Sequence, residues 1–258
     1  MSKEYFYKII TDVNKLSVRD DEVAPDAKLS SVKNTIKIVK QTLKAHPELP
    51  ALCAKQIGHN KRIFCMRFAD GTIKTFVNPL ITFKEGLHIS LEKNVSLGDH
   101  EYMVIRHNVL RAMYQNEKGG IEENKFEGMA SEVFEQMSQL LDGILISDFG
   151  MEIFKDFHKA SEEEKEEVIK LYLDWVKQFD ESLNEEIENT PELKDIKQAM
   201  EFLASVAKGE TDVVPEYNGV VDESQSTKAR IDRLNQMDKE RIDYIVKKYN
   251  EKKDEGTI

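Results

Sequence analysis

The chain has 258 residues, enough for one ordinary domain with an extension or for two small domains. An apolar fraction of 40% supports a packed core, while 33% charged residues imply a well-solvated surface. The net charge of −11 argues against a broad nucleic-acid footprint, which rests on clustered Lys and Arg, and leaves room only for a local basic patch.

The first residues, Met1-Ser-Lys-Glu-Tyr-Phe-Tyr-Lys, lack the basic-then-apolar layout of a signal peptide. No run approaches the roughly eighteen apolar residues of a membrane span, so a cytoplasmic protein without a membrane partner is expected. Leu29–Ala45 places Val32, Ile36, Ile38, Val39 and Leu43 near helical spacing, and Pro47 and Pro50 end the run. Cys53 and Cys65 read as two reduced thiols rather than a disulfide. Arg62–Phe68 and Thr72–Val77 are strand-like and flank the turn Ala69-Asp70-Gly71. A β-rich stretch runs from His100 to Tyr114, with Asn116 to Gly120 as its turn. The next helix, Ser131–Leu141, gathers Val133, Phe134, Met137, Leu140 and Leu141 on an apolar face, is closed by Gly143, and leads into an apolar strand.

After His158 the chain turns helical and acidic. The expected organisation is a domain over 1–157 and a helical extension over 158–258, with helices at about 161–179, 191–208 and 226–251. Ser161 and Glu164 form a capping box for the first of these. Its apolar positions are read as Val168, Leu171, Tyr172, Trp175 and Phe179, with Trp175 and Phe179 as anchors. These helices pack on the first domain, on each other or across a dimer. The locally basic Lys239–Lys253 keeps ribosome association in view, which the acidic tail otherwise weakens.

Among titratable clusters, His88, His100 and His107 lie on or beside the β-rich segments and read as surface or hydrogen-bonded histidines. His88 and Ser90 share a strand face but have no evident partner. No phosphate loop, dinucleotide-binding turn or nucleophile elbow is present.

Three landmarks, in order, resemble the peptide deformylase family. Leu49-Pro-Ala-Leu-Cys-Ala-Lys-Gln-Ile-Gly58 is similar to its Gly-x-Gly-Leu-Ala-Ala-x-Gln-Ile-Gly loop, keeping Leu52, Ala54, Gln56, Ile57 and Gly58. Phe76-Val-Asn-Pro-Leu-Ile81 matches the family's strand ending in Asn-Pro, and Glu92-Lys-Asn-Val-Ser96 stands where deformylases have Glu-Gly-Cys-Leu-Ser. The helix from Gly128 stands where the family carries His-Glu-x-x-His. The intervals from Asn78 to Glu92, Arg106 and Gly128 need no gap, and the resemblance spans roughly residues 10–150.

The resemblance implies an α+β fold of antiparallel strands around a central helix. It also implies what a deformylase centre needs. The motif cysteine and two helix histidines hold a divalent metal with an open place for water. The metal lowers that water's pKa from about 15.7 towards 7, and the helix glutamate acts as base and proton donor. In this chain the cysteine position is Asn94, the histidine positions are Gln136 and Leu140, and the glutamate position is Met137. Gln56 and the backbone N–H of Val95 match the oxyanion donors, and Leu52 lines the same cleft. The expectation is therefore no catalytic residue, no metal and no cofactor, with the cleft serving a peptide or protein ligand. The alternative is a divergent metal-dependent hydrolase that deformylates formyl-methionine peptides.

Overall fold

Residues between 51 and 127 build one antiparallel sheet, whose first two strands are buried on both faces. The computed structural model describes residues 8–24, 29–154 and 157–179, with Ile187, Asn189 and Thr190. Strands β1 (Ala51–Cys53), β2 (Ile63–Arg67), β3 (Ile73–Glu92), β4 (Tyr102–Gln115) and β5 (Ile121–Glu127) follow one another across the sheet, and β6 (Met151–Glu152) pairs with β4. The helices are α1 (Val13–Leu16), α2 (Lys33–Ala45), α3 (Met129–Leu141) and α4 (Glu162–Phe179). This is the α+β arrangement of antiparallel strands around a helix that the motifs imply. No helix among the described residues is long and apolar enough to cross a membrane.

Three local expectations are corrected. First, β3 does not end at Asn78-Pro79 but runs on to Glu92, with a register shift between Val77 and Leu80. Proline cannot donate to the ladder, so the pairing skips there. Asn78 takes a φ of 48°, a left-handed value Asn tolerates, and its side chain bonds the main chain of Val23 at 2.9 and 2.6 Å. Second, the residues after α3 form a tight turn at Ile146–Asp148, not a strand. The helix ends by the N–H of Gly143 donating to Leu140 O at 3.0 Å and that of Ile144 to Gln139 O at 2.9 Å. Gly143 has φ 80°, and a Cβ there would lie 2.6 Å from Ser17 O.

Third, α4 docks through a different stripe. Its start is as read, with Ser161 N donating to Glu164 Oε2 at 2.8 Å and Glu164 N to Ser161 Oγ at 3.3 Å. Its buried residues, however, are Ile169, Tyr172, Leu173 and Val176, whereas Leu171 is 58% exposed. Those four follow an i, i+3, i+4, i+7 pattern, a narrower stripe than the expected one. They cluster with Leu87, Ile89 and Met103, and Val168 and Trp175 are partly buried beside them. The helices expected at 191–208 and 226–251, and the side chain of Phe179, lie outside the described residues.

The N-terminal strap, residues 10–23, crosses the end of α3 and is held by one buried cation. Lys55 Nζ donates to Leu16 O, Val18 O and Leu140 O at 3.0, 2.6 and 2.7 Å. Asp20 lies 3.7 Å from that ammonium, and neither of its carboxylate oxygens has a hydrogen bond among the described residues. Burial pushes the Asp20 carboxyl up to about 7, against the lowering pull of Lys55 and Arg62. The folded state therefore holds a proton that the unfolded carboxyl, titrating near ~3.9, releases. This contribution is complete below about pH 4 and is lost as pH rises through about 7. Between those limits the urea midpoint of the wild-type chain falls with rising pH more steeply than that of Asp20→Asn; parallel midpoint curves would refute the assignment.

Candidate functional site

Face alternation on the β3–β4 hairpin decides what meets α3. Leu87, Ile89 and Met103 belong to the apolar cluster with α4. His88, Ser90, Glu92 and Arg106 instead bond side chains of α3 or of each other. In register, His88 pairs with Arg106 across the hairpin. The α3 residues that answer them are Glu132, Gln136 and Gln139, and with Glu135, which bonds Lys84 and His107, they form a polar stripe at helical spacing.

The structure brings Gln56, Asn94 and Gln136 together as one chain of amides. Gln56 Oε1 accepts from Cys53 N at 2.9 Å, and Gln56 Nε2 donates to Asn94 Oδ1 at 3.1 Å and Ser96 Oγ at 3.2 Å. Asn94 Oδ1 also accepts from Ser96 N at 3.0 Å, while Asn94 Nδ2 donates to Gln136 Oε1 at 3.3 Å. Gln136 Nε2 donates to Glu92 Oε2 at 2.7 Å and Lys93 O at 3.3 Å. Glu92 in turn grips Arg106 with both oxygens, at 2.5 and 2.7 Å, and Arg106 Nη1 donates to Gln139 Oε1 at 2.7 Å. Arg106 is fully buried, its guanidinium 5.3 Å from the ring centre of Phe149. Gln56 thus bonds both its own loop and Ser96.

Met137 and Leu140 face the other way. They are 3% and 1% exposed and lie in the core with Leu16, Cys53, Phe64 and Phe134. Cys53 Sγ contacts Met137 Sδ at 3.4 Å. Leu52 is buried against α2, and Val95 packs against that same cluster.

This donor set does not fit a catalytic transition-metal ion. The amide oxygens of Asn94 and Gln136 already accept hydrogen bonds from Gln56, Ser96 and Asn94, and amides are poor ligands for such ions. Leu140 has no lone pair to offer. The described residues hold no group of three His, Cys, Asp or Glu side chains arranged around a common point.

Beside the amide chain lies a second polar group that the sequence reading underrated. His88 and Ser90 do have a partner, because Glu132 accepts from both, at 2.8 and 2.9 Å. Glu135 bonds Lys84 at 2.8 Å and His107 Nδ1 at 3.1 Å. Burial raises the Glu135 carboxyl, but Lys84, His107 and Arg106 outweigh it and hold the group well below the usual carboxylate range. Glu132 is likewise held low, chiefly by His88 acting against burial. The signal was present as the 132–135–136–139 spacing on α3, but only the hairpin's register shows which strand residues it meets. His100 bonds Glu152 and His158 bonds Glu101, both at the surface.

Removing one partner of a buried ion pair strands the other. Glu92→Ala leaves Arg106 buried with its charge uncompensated, and unfolding in urea should show a loss of about 3–5 kcal/mol. A loss below about 1 kcal/mol, the range of exposed pairs, would mean that the Glu92–Arg106 contact does not hold in solution.

Comparison with known proteins agrees with this fold. The chain matches the family model for polypeptide deformylase over residues 7–152. Peptide deformylase 2 of Clostridium perfringens is 29% identical over 133 residues, covering 51% of this chain and 85% of that protein. Peptide deformylase of Thermotoga maritima is 26% identical over 118 residues, covering 46% of this chain and 71% of the relative. A crystal structure of peptide deformylase from Thermotoga maritima superposes with a TM-score of 0.51 at 26% identity, over 56% of this chain and 97% of that one. By the match over residues 7–152, more than half its length, the chain belongs to the polypeptide deformylase family.

Proposed function

We propose that this member of the family does not hydrolyse formyl groups and instead uses the cleft surface around its amide chain to bind a peptide or protein segment. The observation that carries the reading is the closed run of hydrogen bonds from Gln56 through Asn94 and Gln136 to Glu92. Deformylation by the family's route needs a bound hydroxide and a base beside it. Of the positions that would hold the ion, Asn94 and Gln136 bond one another and Leu140 lies in the apolar core, and the base position is the buried thioether of Met137. Oxyanion donors without a nucleophile give binding rather than turnover.

The half-buried Lys93, Val95, Glu132, Val133 and Gln136 surround the amide chain and offer polar and apolar contact side by side. Helix α4 packs with Leu87, Ile89 and Met103, whose side chains alternate with those facing α3. Its described residues therefore dock on the other face of the hairpin from the side chains that meet α3. Two free, buried thiols suit a reducing, cytoplasmic setting.

Protein purified without chelator should carry far less than one equivalent of zinc, iron or nickel and release no formate from a formyl-methionyl tripeptide above the buffer rate. Near-stoichiometric metal with rapid formate release would establish a divergent metal-dependent hydrolase instead. Binding is read separately, as peptide-induced shifts of the backbone amide resonances of residues 90–96 and 130–137. Spectra unchanged by both formylated and free methionyl peptides would remove the peptide-binding role.

A further inference from the structure

Helix α2 carries Lys33, Lys37, Lys40 and Lys44 and no acidic residue, in a chain whose net charge is −11. At 100° per residue those four side chains fall within an arc of about 60°, along about 16 Å of helix axis. The far side of the helix, Ile38, Val39 and Thr42, is buried, and Ile36 and Leu43 beside it pack in the same cluster as residues of β1 and β2, which turns Lys33, Lys37 and Lys44 towards solvent. Lys40 is paired with Glu117, from the turn before β5. Lys33, Lys37 and Lys44 are exposed and have no ion-pair partner among the described residues. Neighbours at three- and four-residue spacing repel one another, so the stripe weakens the helix that bears it unless a polyanion lies along it.

We infer that this lysine face of α2 binds the phosphate backbone of double-helical or folded nucleic acid. The other exposed α2 positions are Asn34, Gln41 and Ala45. With no exposed aromatic or large apolar side chain, the face lacks the apolar centre of a protein interface and the wedge of a membrane-seated helix. It also lacks the stacking platforms that hold unpaired bases. It contains no arginine, so its contacts with phosphate are those of lysine point charges rather than bidentate hydrogen bonds. Contact of this kind reads no sequence, and the acidic remainder of the chain keeps it weak and salt-sensitive. The inference is independent of the cleft and of any catalysis there.

The test is fluorescence anisotropy of the full chain with labelled RNA and DNA duplexes of about 20 base pairs, across a salt series starting near 50 mM. Three to four neutralised phosphates predict a log–log salt slope of about −3 and equal affinity for unrelated sequences. The triple variant Lys33→Gln, Lys37→Gln, Lys44→Gln should weaken binding at least tenfold and flatten the slope, with helix content unchanged by circular dichroism. A control with the same net charge, Lys15→Gln, Lys125→Gln, Lys170→Gln, alters exposed lysines elsewhere and should bind as wild type. No duplex binding at the lowest salt, equal loss in both triple variants, or preference for poly-glutamate over the duplexes would each overturn the inference. The last outcome would assign the face to an acidic protein.

Discussion

A single buried ion pair, Glu92 with Arg106, sets the terms for the centre of this fold. Two charges taken out of water on one hairpin must be matched there or the hairpin cannot close. Once Glu92 and Arg106 face α3, each remaining lone pair and proton on them needs a partner from that helix, and Gln136 and Gln139 provide it. The pair therefore fixes the register of β3 on β4, the rotation of α3 about its axis, and which strand residues point outward. Buried pairs of this kind add little net stability over apolar packing. What this one supplies is a single allowed alignment of helix and hairpin.

The centre of the domain divides between two environments. A metal site would place strong donors and an open, wet coordination position at the heart of the domain. Here Gln136 continues a polar chain along one edge of α3, while Met137 and Leu140 complete the apolar core on its inner side. The polar edge is satisfied almost entirely from within. The apolar side gains contact with Cys53, Phe64 and Phe134, the aromatic rings of Phe64 and Phe134 meeting edge to face at 5.1 Å. Gln136 and Met137, adjacent in sequence, thus stand on the two sides of that division.

The architecture was legible because its motifs carry register. The resemblance to deformylases, made specific by the ungapped spacing of Asn78, Glu92, Arg106 and Gly128, implies one cleft for Gln56, Asn94 and Gln136, and the structure joins all three. What stayed hidden was pairing across elements. Nothing local to His88 and Ser90 points to Glu132, forty-odd residues on; only the hairpin register and the helix rotation bring them together. The length of β3 was missed because Asn78-Pro79 is a strong local stop, overridden here by hydrogen bonds from Asn78 to the strap. The docked stripe of α4 was misplaced because apolar residues span an arc of about 200° on that helix, and the partner surface, not the helix, selects among them.

Lys55 ties three stretches that lie far apart along the chain: Leu16 and Val18 in the strap, its own loop, and the last turn of α3 at Leu140. Asp20 N also donates to Leu141 O, and Gly143 lets the strap pass close by. Part of the strap finds partners early, in Gln56, Arg62 and Asn78, but the bond of Asp20 to Leu141 waits until the residues that cap α3 have been synthesised. The strap's full docking is therefore completed only after most of the domain has been translated.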